Sequence, residues 1–341
     1  MTPNSPFQNI SSNLSTIRSH RVSCLVLTDD FAFVFLLVPI FHIIIFIVGV
    51  IGNTIIILGL TCCIQNKTVA NVYIVNLAIA DLFFVATLPL WAVNVAEKYK
   101  WTFGSFMCKV CASMSSLNMY ASIFLLTCLS IDRFHAIVHP VKSLSRRTPT
   151  RAKISAAIVW LSAVAATSPT MYFRQTYKSE LRHYTVCSMK YPQNSIFWMT
   201  FVELMKNIVG FLIPFILQGI CYILIYKKML SPKNKGKREK SDKVLKIVMA
   251  MAFAFVICWL PFHIANLLNL LIRLNIITTC ATVRIIKAIT PITICIAFSN
   301  SCVNPILYYF ASKRFRNQFV NALRRSYNNS YISNTSTKTL E

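Results

Sequence analysis

Acidic residues are scarce in this chain. There are 10 Asp and Glu among 341 residues, and all charged types together make up only 13%. A soluble domain carries about 25% charged residues, so a surface fully solvated by water is excluded. Hydrophobic residues reach 55% and the mean hydropathy is +0.57; side chains this apolar must be buried in lipid or aggregate. Glycine is also scarce, at 7 residues, which excludes a fibrous or low-complexity chain. Metal-ligand spacing is missing: His42, His135, His139, His183 and His263 are scattered, and no His/Cys/Asp grouping fits a metal or a catalytic pair. That argues against an intramembrane enzyme. No internal repeat is visible and the midplane charge is essentially Asp81 alone, which argues against a transporter or channel. Residues 1–30 are polar and lack the apolar core of a cleavable signal peptide, so the first apolar stretch is expected to act as its own insertion signal.

What is present is a large basic excess and long apolar runs. The net charge is +25, from 35 Lys and Arg. A basic balance suggests nucleic acid or an anionic surface. Here the basic residues lie between apolar runs rather than on a polar domain, so nucleic acid is not expected as a partner and membrane lipid is. A helix needs about 20 apolar residues to cross the hydrocarbon layer. Seven stretches qualify, at 31–61, 68–97, 104–138, 151–172, 194–229, 241–273 and 281–310. The expected fold is therefore an all-α membrane protein, a bundle of seven transmembrane helices. An amphipathic stretch follows, with Phe315, Phe319 and Leu323 at helical spacing among Arg and Lys. It reads as a short helix on the membrane surface.

The expected organisation is an amino-terminal segment 1–30, a transmembrane domain 31–310, the surface helix 311–325 and a Ser/Thr/Asn-rich, disordered tail 326–341. One set of loops holds Lys67, then Lys142, Arg146, Arg147, Arg151 and Lys153, then nine Lys and Arg from Lys227 to Lys246. The positive-inside rule puts that set in the cytoplasm. The amino terminus then lies outside and the carboxyl terminus inside a multi-pass plasma-membrane protein. Asn9 and Asn13 open sequons on the outer segment and are expected glycosylation sites.

Most of the 12 Cys sit inside apolar runs, where they act as small hydrophobes. Cys24, Cys108, Cys187 and Cys280 lie at segment ends on the outer side, an even number that suggests two disulfides.

Polar groups inside spans are expensive and mark function. Asp81 in the second span would cost about 3 kcal/mol or more facing lipid, so it must face the bundle interior. It is either a structural carboxylate or part of a cation or water site that differs between two states of the bundle. Asn53, Asn118, Ser122, Asn300 and Asn304 sit at interior-compatible positions and would complete an oxygen cage; a sodium ion at Asp81, Asn118 and Ser122 is the candidate. The pair Asp132-Arg133 ends the third span. Alone it reads as surface charge; in this setting it reads as a switch. Prolines recur at Pro89, Pro169, Pro214, Pro261, Pro291 and Pro305. Pro261 beside Phe255 and Trp259, and Pro305 beside Asn304 and Tyr308, suggest two hinges carrying aromatics.

Together these motifs resemble the rhodopsin-like, G-protein-coupled receptors. The resemblance rests on Asn53, Leu77 with Asp81, Asp132-Arg133-Phe134, Trp160, Pro214 with Tyr222, Cys258-Trp259-Leu260-Pro261 and Asn304-Pro305-x-x-Tyr308, in order over about residues 31–325. Phe134 departs from the usual Tyr. Within that class the chain resembles the angiotensin II receptors, in Leu88 to Ala92, Asn118 to Ser122, Leu129 to Lys142, Tyr172 to Arg174, Lys206 to Phe211 and Ile292 to Ala297. The blocks around Arg174, Lys206 and His263 are similar to type 2, and Leu129 to Lys142 to type 1. The resemblance implies disulfides Cys108–Cys187 and Cys24–Cys280. It implies a ligand pocket at Trp91, Asn118, Arg174, Lys206, Trp259, His263 and Ile294, and a switch at Asp81, Asp132, Arg133, Tyr222, Phe255, Trp259, Pro261, Asn300, Asn304, Pro305 and Tyr308. Implied partners are an extracellular peptide, a heterotrimeric G protein and arrestin; no cofactor is required beyond the candidate allosteric Na⁺.

One departure bears on the ligand. The family is expected to hold two acids at the mouths of the sixth and seventh spans, and a tyrosine in the first. Here those positions read Asn269, Lys287 and His42. Basic residues dominate the outer face, and the acids there are few. A peptide with a free carboxyl end is expected, with Arg174 as a bidentate fork and Lys206 as a point charge, reached among spans 2, 3, 5, 6 and 7. Another peptide of bradykinin type, an acidic lipid or a nucleotide is the alternative.

Overall fold

The computed structural model describes residues 32–63, 68–144, 147–180, 182–192, 195–230, 238–311 and 316–317. Seven helices are long and apolar enough to cross a membrane: Ala32–Cys62, Val69–Ala96, Gly104–Val138, Pro149–Phe173, Ser195–Leu230, Leu245–Arg273 and Cys280–Phe310. They match the seven apolar stretches to within a few residues, and we number them as spans one to seven. Large apolar side chains cover the outside, among them Leu36, Leu161 and Phe253. The interior contacts run between spans two and three, three and four, three and five, six and seven, and seven and one. The third span is central, with 16 buried residues from Cys108 to Asp132.

Small residues and proline set the local geometry. A Cβ at Gly52 would lie 2.8 Å from the Pro305 ring, and one at Gly49 would lie 2.8 Å from Val85 Cγ1. The first span therefore reaches the second and seventh only because it carries glycine there. The second span breaks at Ala86 and Thr87, and Pro89 occupies the first turn of the helix that resumes at Leu88, where its missing N–H costs nothing. The first span also carries an internal proline, Pro39, in addition to those read as kinks from the sequence. Pro214 cannot donate to the turn before it. The fifth span answers with a π turn over Ile208–Leu212, closed by the Ile213 N–H on the Ile208 carbonyl.

One element was not expected. Residues between the fourth and fifth spans form an antiparallel hairpin, β1 (Arg174–Lys178) with β2 (Thr185–Met189), in register Arg174↔Met189 and Thr176↔Cys187. Cys187 of β2 is disulfide-bonded to Cys108 at the start of the third span, which clamps the hairpin over the bundle. Cys280 is disulfide-bonded too; its implied partner Cys24 lies outside the described residues. The sequons at Asn9 and Asn13 and the tail also lie outside them. Of the surface helix, residues 316–317 are described, and both are helical.

Candidate functional site

The hairpin roofs a cavity of ≈ 670 Å³. Its polar lining includes Trp91, Arg174, Arg182, Lys206, Asn269 and Lys287, and Ile294, Pro291 and Phe298 form an apolar wall. Among the described residues, four that line it are cationic and none is acidic. Along the seventh span the cavity runs from Lys287 to Phe298, about 16 Å at 1.5 Å per residue.

Each cation is held by the fold. Arg174 caps the fourth span and begins β1. Its guanidinium lies 5.5 Å from the Trp91 ring centroid, and Nε donates to Cys187 Sγ at 3.3 Å. The disulfide and an aromatic face thus orient it without neutralising it. Burial lowers its pKa to about 10, so it stays charged at neutral pH. Arg182 donates to the Lys98 carbonyl (2.9 Å) and sits over the Tyr99 ring. Lys287 Nζ donates to Asn269 Oδ1 (2.8 Å), while Asn269 Nδ2 donates to Thr290 Oγ1 (2.9 Å). The two residues that depart from the family's acidic rim therefore touch each other.

Lys206 differs from the reading of a lone point charge. Its Nζ lies 3.5 Å from Glu203 Oε2, which also accepts from Asn266 Nδ2 (2.8 Å). The i,i+3 spacing on one helix was the available signal. Among the described residues no carboxylate makes a salt bridge with Arg174, Arg182 or Lys287.

The structure brings Trp91, Arg174, Lys206 and Ile294 together in the cavity. Asn118, Trp259 and His263 are not in its lining. His263 is stacked on Phe211 (4.6 Å between centroids), with Nδ1 3.2 Å from Asn207 Oδ1. Trp259 stacks on Phe255 (5.7 Å) and meets Phe262 edge-on. The first span, read from the sequence only through His42, lines it also at Val34, Phe35 and Val38, and the fourth, left out of that reading, lines it through Thr170. His42 is buried, and among the described residues neither ring nitrogen has a hydrogen-bond partner.

At mid-bundle Asp81 is fully buried. Its Oδ1 accepts from Asn118 Nδ2 (2.8 Å) and Ser301 Oγ (2.7 Å), and its Oδ2 from Asn304 Nδ2 (3.1 Å). Asn118 Nδ2 also lies 3.4 Å from Ser122 Oγ. Asn300, named from the sequence for this cage, makes no hydrogen bond to Asp81, whereas Ser301 does. Asn300 is buried, and among the described residues its amide atoms have no partner. Asn53 Nδ2 donates to the Ser301 carbonyl (2.9 Å), which ties the first span to the seventh. Trp160 Nε1 donates to Asn76 Oδ1 (2.9 Å) and ties the fourth to the second.

At the end opposite the hairpin, Asp132 pairs with the adjacent Arg133. It also takes two bonds from Arg147, from Nε to Oδ1 (2.7 Å) and from Nη2 to Oδ2 (3.0 Å). Arg147 was read only as loop charge; nothing in its spacing marks it as a partner. Tyr222 OH lies 2.8 Å from Ser130 Oγ, which joins the fifth span to the third one turn before Arg133. Pro261 and Pro305 lie inside the sixth and seventh helices. Tyr308 is buried, close to Asn53, Asn304 and Pro305 around a small void.

Comparison with known proteins agrees with this arrangement. The sequence model of the family described as "7 transmembrane receptor (rhodopsin family)" matches residues 52–308. The chain is 40% identical over 317 residues to type-1 angiotensin II receptor A of Xenopus laevis, covering 92% of this chain and 87% of that one. It is 42% identical over 293 residues to the type-1 angiotensin II receptor of Homo sapiens (86% and 82%). It is 39% identical over 310 residues to that of Gallus gallus (91% and 86%). These relatives carry the type-1 name, whereas the blocks around Arg174, Lys206 and His263 read as similar to type 2; both readings lie in one family. A bundle of seven membrane helices, matched over most of its length, is a multi-pass receptor and not an enzyme: the chain belongs to the rhodopsin-family seven-transmembrane receptors, in the angiotensin II receptor family.

Proposed function

We propose that the hairpin end of the bundle faces the cell exterior and that its cavity binds a peptide with a free carboxyl end, of the angiotensin II kind. Binding drives signalling to a heterotrimeric G protein, and arrestin engages the same inner face. The observation that carries this reading is a cavity in whose lining, among the described residues, four are cationic and none is acidic. A planar guanidinium takes a carboxylate through two parallel bonds, and Arg174 is oriented for this by Trp91 and Cys187. Basic loops on the opposite face support the orientation. The relatives' names support a peptide.

The mechanism is a shift between two packings of the bundle. Ligand in the cavity bears on Asn118 and Trp259 from above. The sixth span pivots at Pro261 and the seventh at Pro305. Arg133 leaves Asp132, Tyr222 leaves Ser130, and a cleft opens for an amphipathic helix of the partner. Asp81 has neutral donors only. Unpartnered oxygens on Asn300 and Asn304 lie buried on the same helix face. An oxygen-only set around an uncompensated carboxylate fits a hard monovalent cation, so Na⁺ would stabilise the closed packing there, with Asn118 and Ser122.

A second reading has its own observation. Lys287, fixed by Asn269, puts a positive charge at the rim, which suits a different anionic ligand: another peptide, an acidic lipid or a nucleotide. Binding of angiotensin II to the expressed receptor, beside bradykinin, lysophosphatidic acid and ATP, separates the two. Saturable angiotensin II binding supports the first reading; binding of lysophosphatidic acid or ATP alone replaces it with the second.

A further inference from the structure

We propose that a second cavity, at the end opposite the hairpin between the second, third and fourth spans, binds the phosphorylated headgroup of an anionic phospholipid. It encloses ≈ 530 Å³. Its placement in the inner leaflet rests on the orientation given under Proposed function.

Three features converge on a phosphate. The first is charge. Lys142, Arg147 and Arg151 line the cavity, and among the described residues Asp132 is its only acidic one. Asp132 is already engaged by Arg133 and Arg147, so it adds little repulsion. Arg147 uses Nε and Nη2 for that contact and retains its positive charge at the cavity wall. The second feature is hydrogen-bonding capacity. His135 and His139, one turn apart with ring centroids 6.4 Å from each other, share the lining with Tyr73 and Ser155. Phosphate oxygens accept from all of these groups.

The third feature is the start of the fourth span. Thr148 caps it, accepting from the Arg151 N–H at 3.3 Å, and Pro149 occupies its first turn. No acid stands in that turn. The positive end of a 25-residue helix therefore meets the same cavity, which favours an anion. Basic pockets between helices on the cytoplasmic side are where phosphorylated headgroups bind.

The surroundings select a lipid over a free phosphate. Val69, Cys128, Ile131 and Ala152 form the apolar part of the wall. Ile154 and Ile158 stand exposed on the fourth span, so acyl chains find an apolar helix face next to the headgroup.

The test uses the full chain in phosphatidylcholine nanodiscs and a fluorescent short-chain phosphatidylinositol 4,5-bisphosphate. Saturable binding is expected, weakened at least tenfold in Lys142→Gln/Arg151→Gln and separately in His135→Gln/His139→Gln. Inositol 1,4,5-trisphosphate is expected to compete at least tenfold more weakly than the lipid. A change under twofold in both double variants overturns the site. Equal potency of the soluble headgroup overturns the lipid. Angiotensin II binding is read on the same discs: its failure with lipid binding intact counts against the peptide reading alone, and the reverse counts against this site alone.

Discussion

The two halves of the bundle handle charge in opposite ways. In the middle and at the end opposite the hairpin, the buried carboxylates are answered from within: Asp81 by three neutral donors, and Asp132 by Arg133 and Arg147. At the hairpin end Lys206 has Glu203, but Arg174, Arg182 and Lys287 are held by rings, carbonyls and amides, and among the described residues no carboxylate makes a salt bridge with them. A half that satisfies its own charges defines a closed state. A half that orients cations without neutralising them is built for something that arrives. On the mechanism proposed above, receptor function needs both in one bundle.

The comparison can be broken most forcefully at Asp81. Asp81→Ala leaves Ser301 and Asn304 without their side-chain acceptor and Asn118 with only the 3.4 Å contact to Ser122, and each stranded donor costs about 1–3 kcal/mol. The melting temperature measured with a thiol-reactive dye is expected to fall by several degrees, and less in Asp81→Asn. An unchanged melting curve in Asp81→Ala would mean that this network does not hold the closed half.

At the other half, Lys287→Asp reverses the rim charge. Binding of a peptide with a basic side chain near its amino end is expected to strengthen about tenfold, or about 1.4 kcal/mol, in competition binding. A weaker effect appears at the junction. Asn118→Gly removes the donor that ties the third span to Asp81, and ligand-free signalling at equal surface expression should rise about fivefold, about 1 kcal/mol of population shift. The smallest effect belongs to Arg147→Gln. Its side chain is 30% exposed, so the loss is expected below about 1 kcal/mol, seen as a slight rise in ligand-free signalling.

The fold was legible because lipid makes a severe demand. Every span must be about 20 apolar residues long, and that length is visible residue by residue. Asp81, Asp132, Pro261 and Asn304 stood out for the same reason, as costly groups among apolar ones. What was not legible depends on approach between distant segments. The pairing of Arg147 with Asp132 crosses a loop with no periodicity to announce it. The hairpin Arg174–Met189 lies outside the spans, where hydropathy is silent. Ser301, rather than Asn300, reaches Asp81 because one residue turns a helix by about 100°, finer than span boundaries resolve. The part played by Val34, Phe35 and Val38 in the cavity depends on how the first span leans, which Gly49 and Gly52 permit.

The most direct test of uncompensated charge at the hairpin end is a double cycle. Angiotensin II and its carboxyl-terminal amide are each titrated against the wild-type receptor and Arg174→Gln, and surface expression is matched. The amide should bind the wild type at least 30-fold more weakly, about 2 kcal/mol, and Arg174→Gln should bind acid and amide alike. Equal affinity of the wild type for acid and amide would contradict the account.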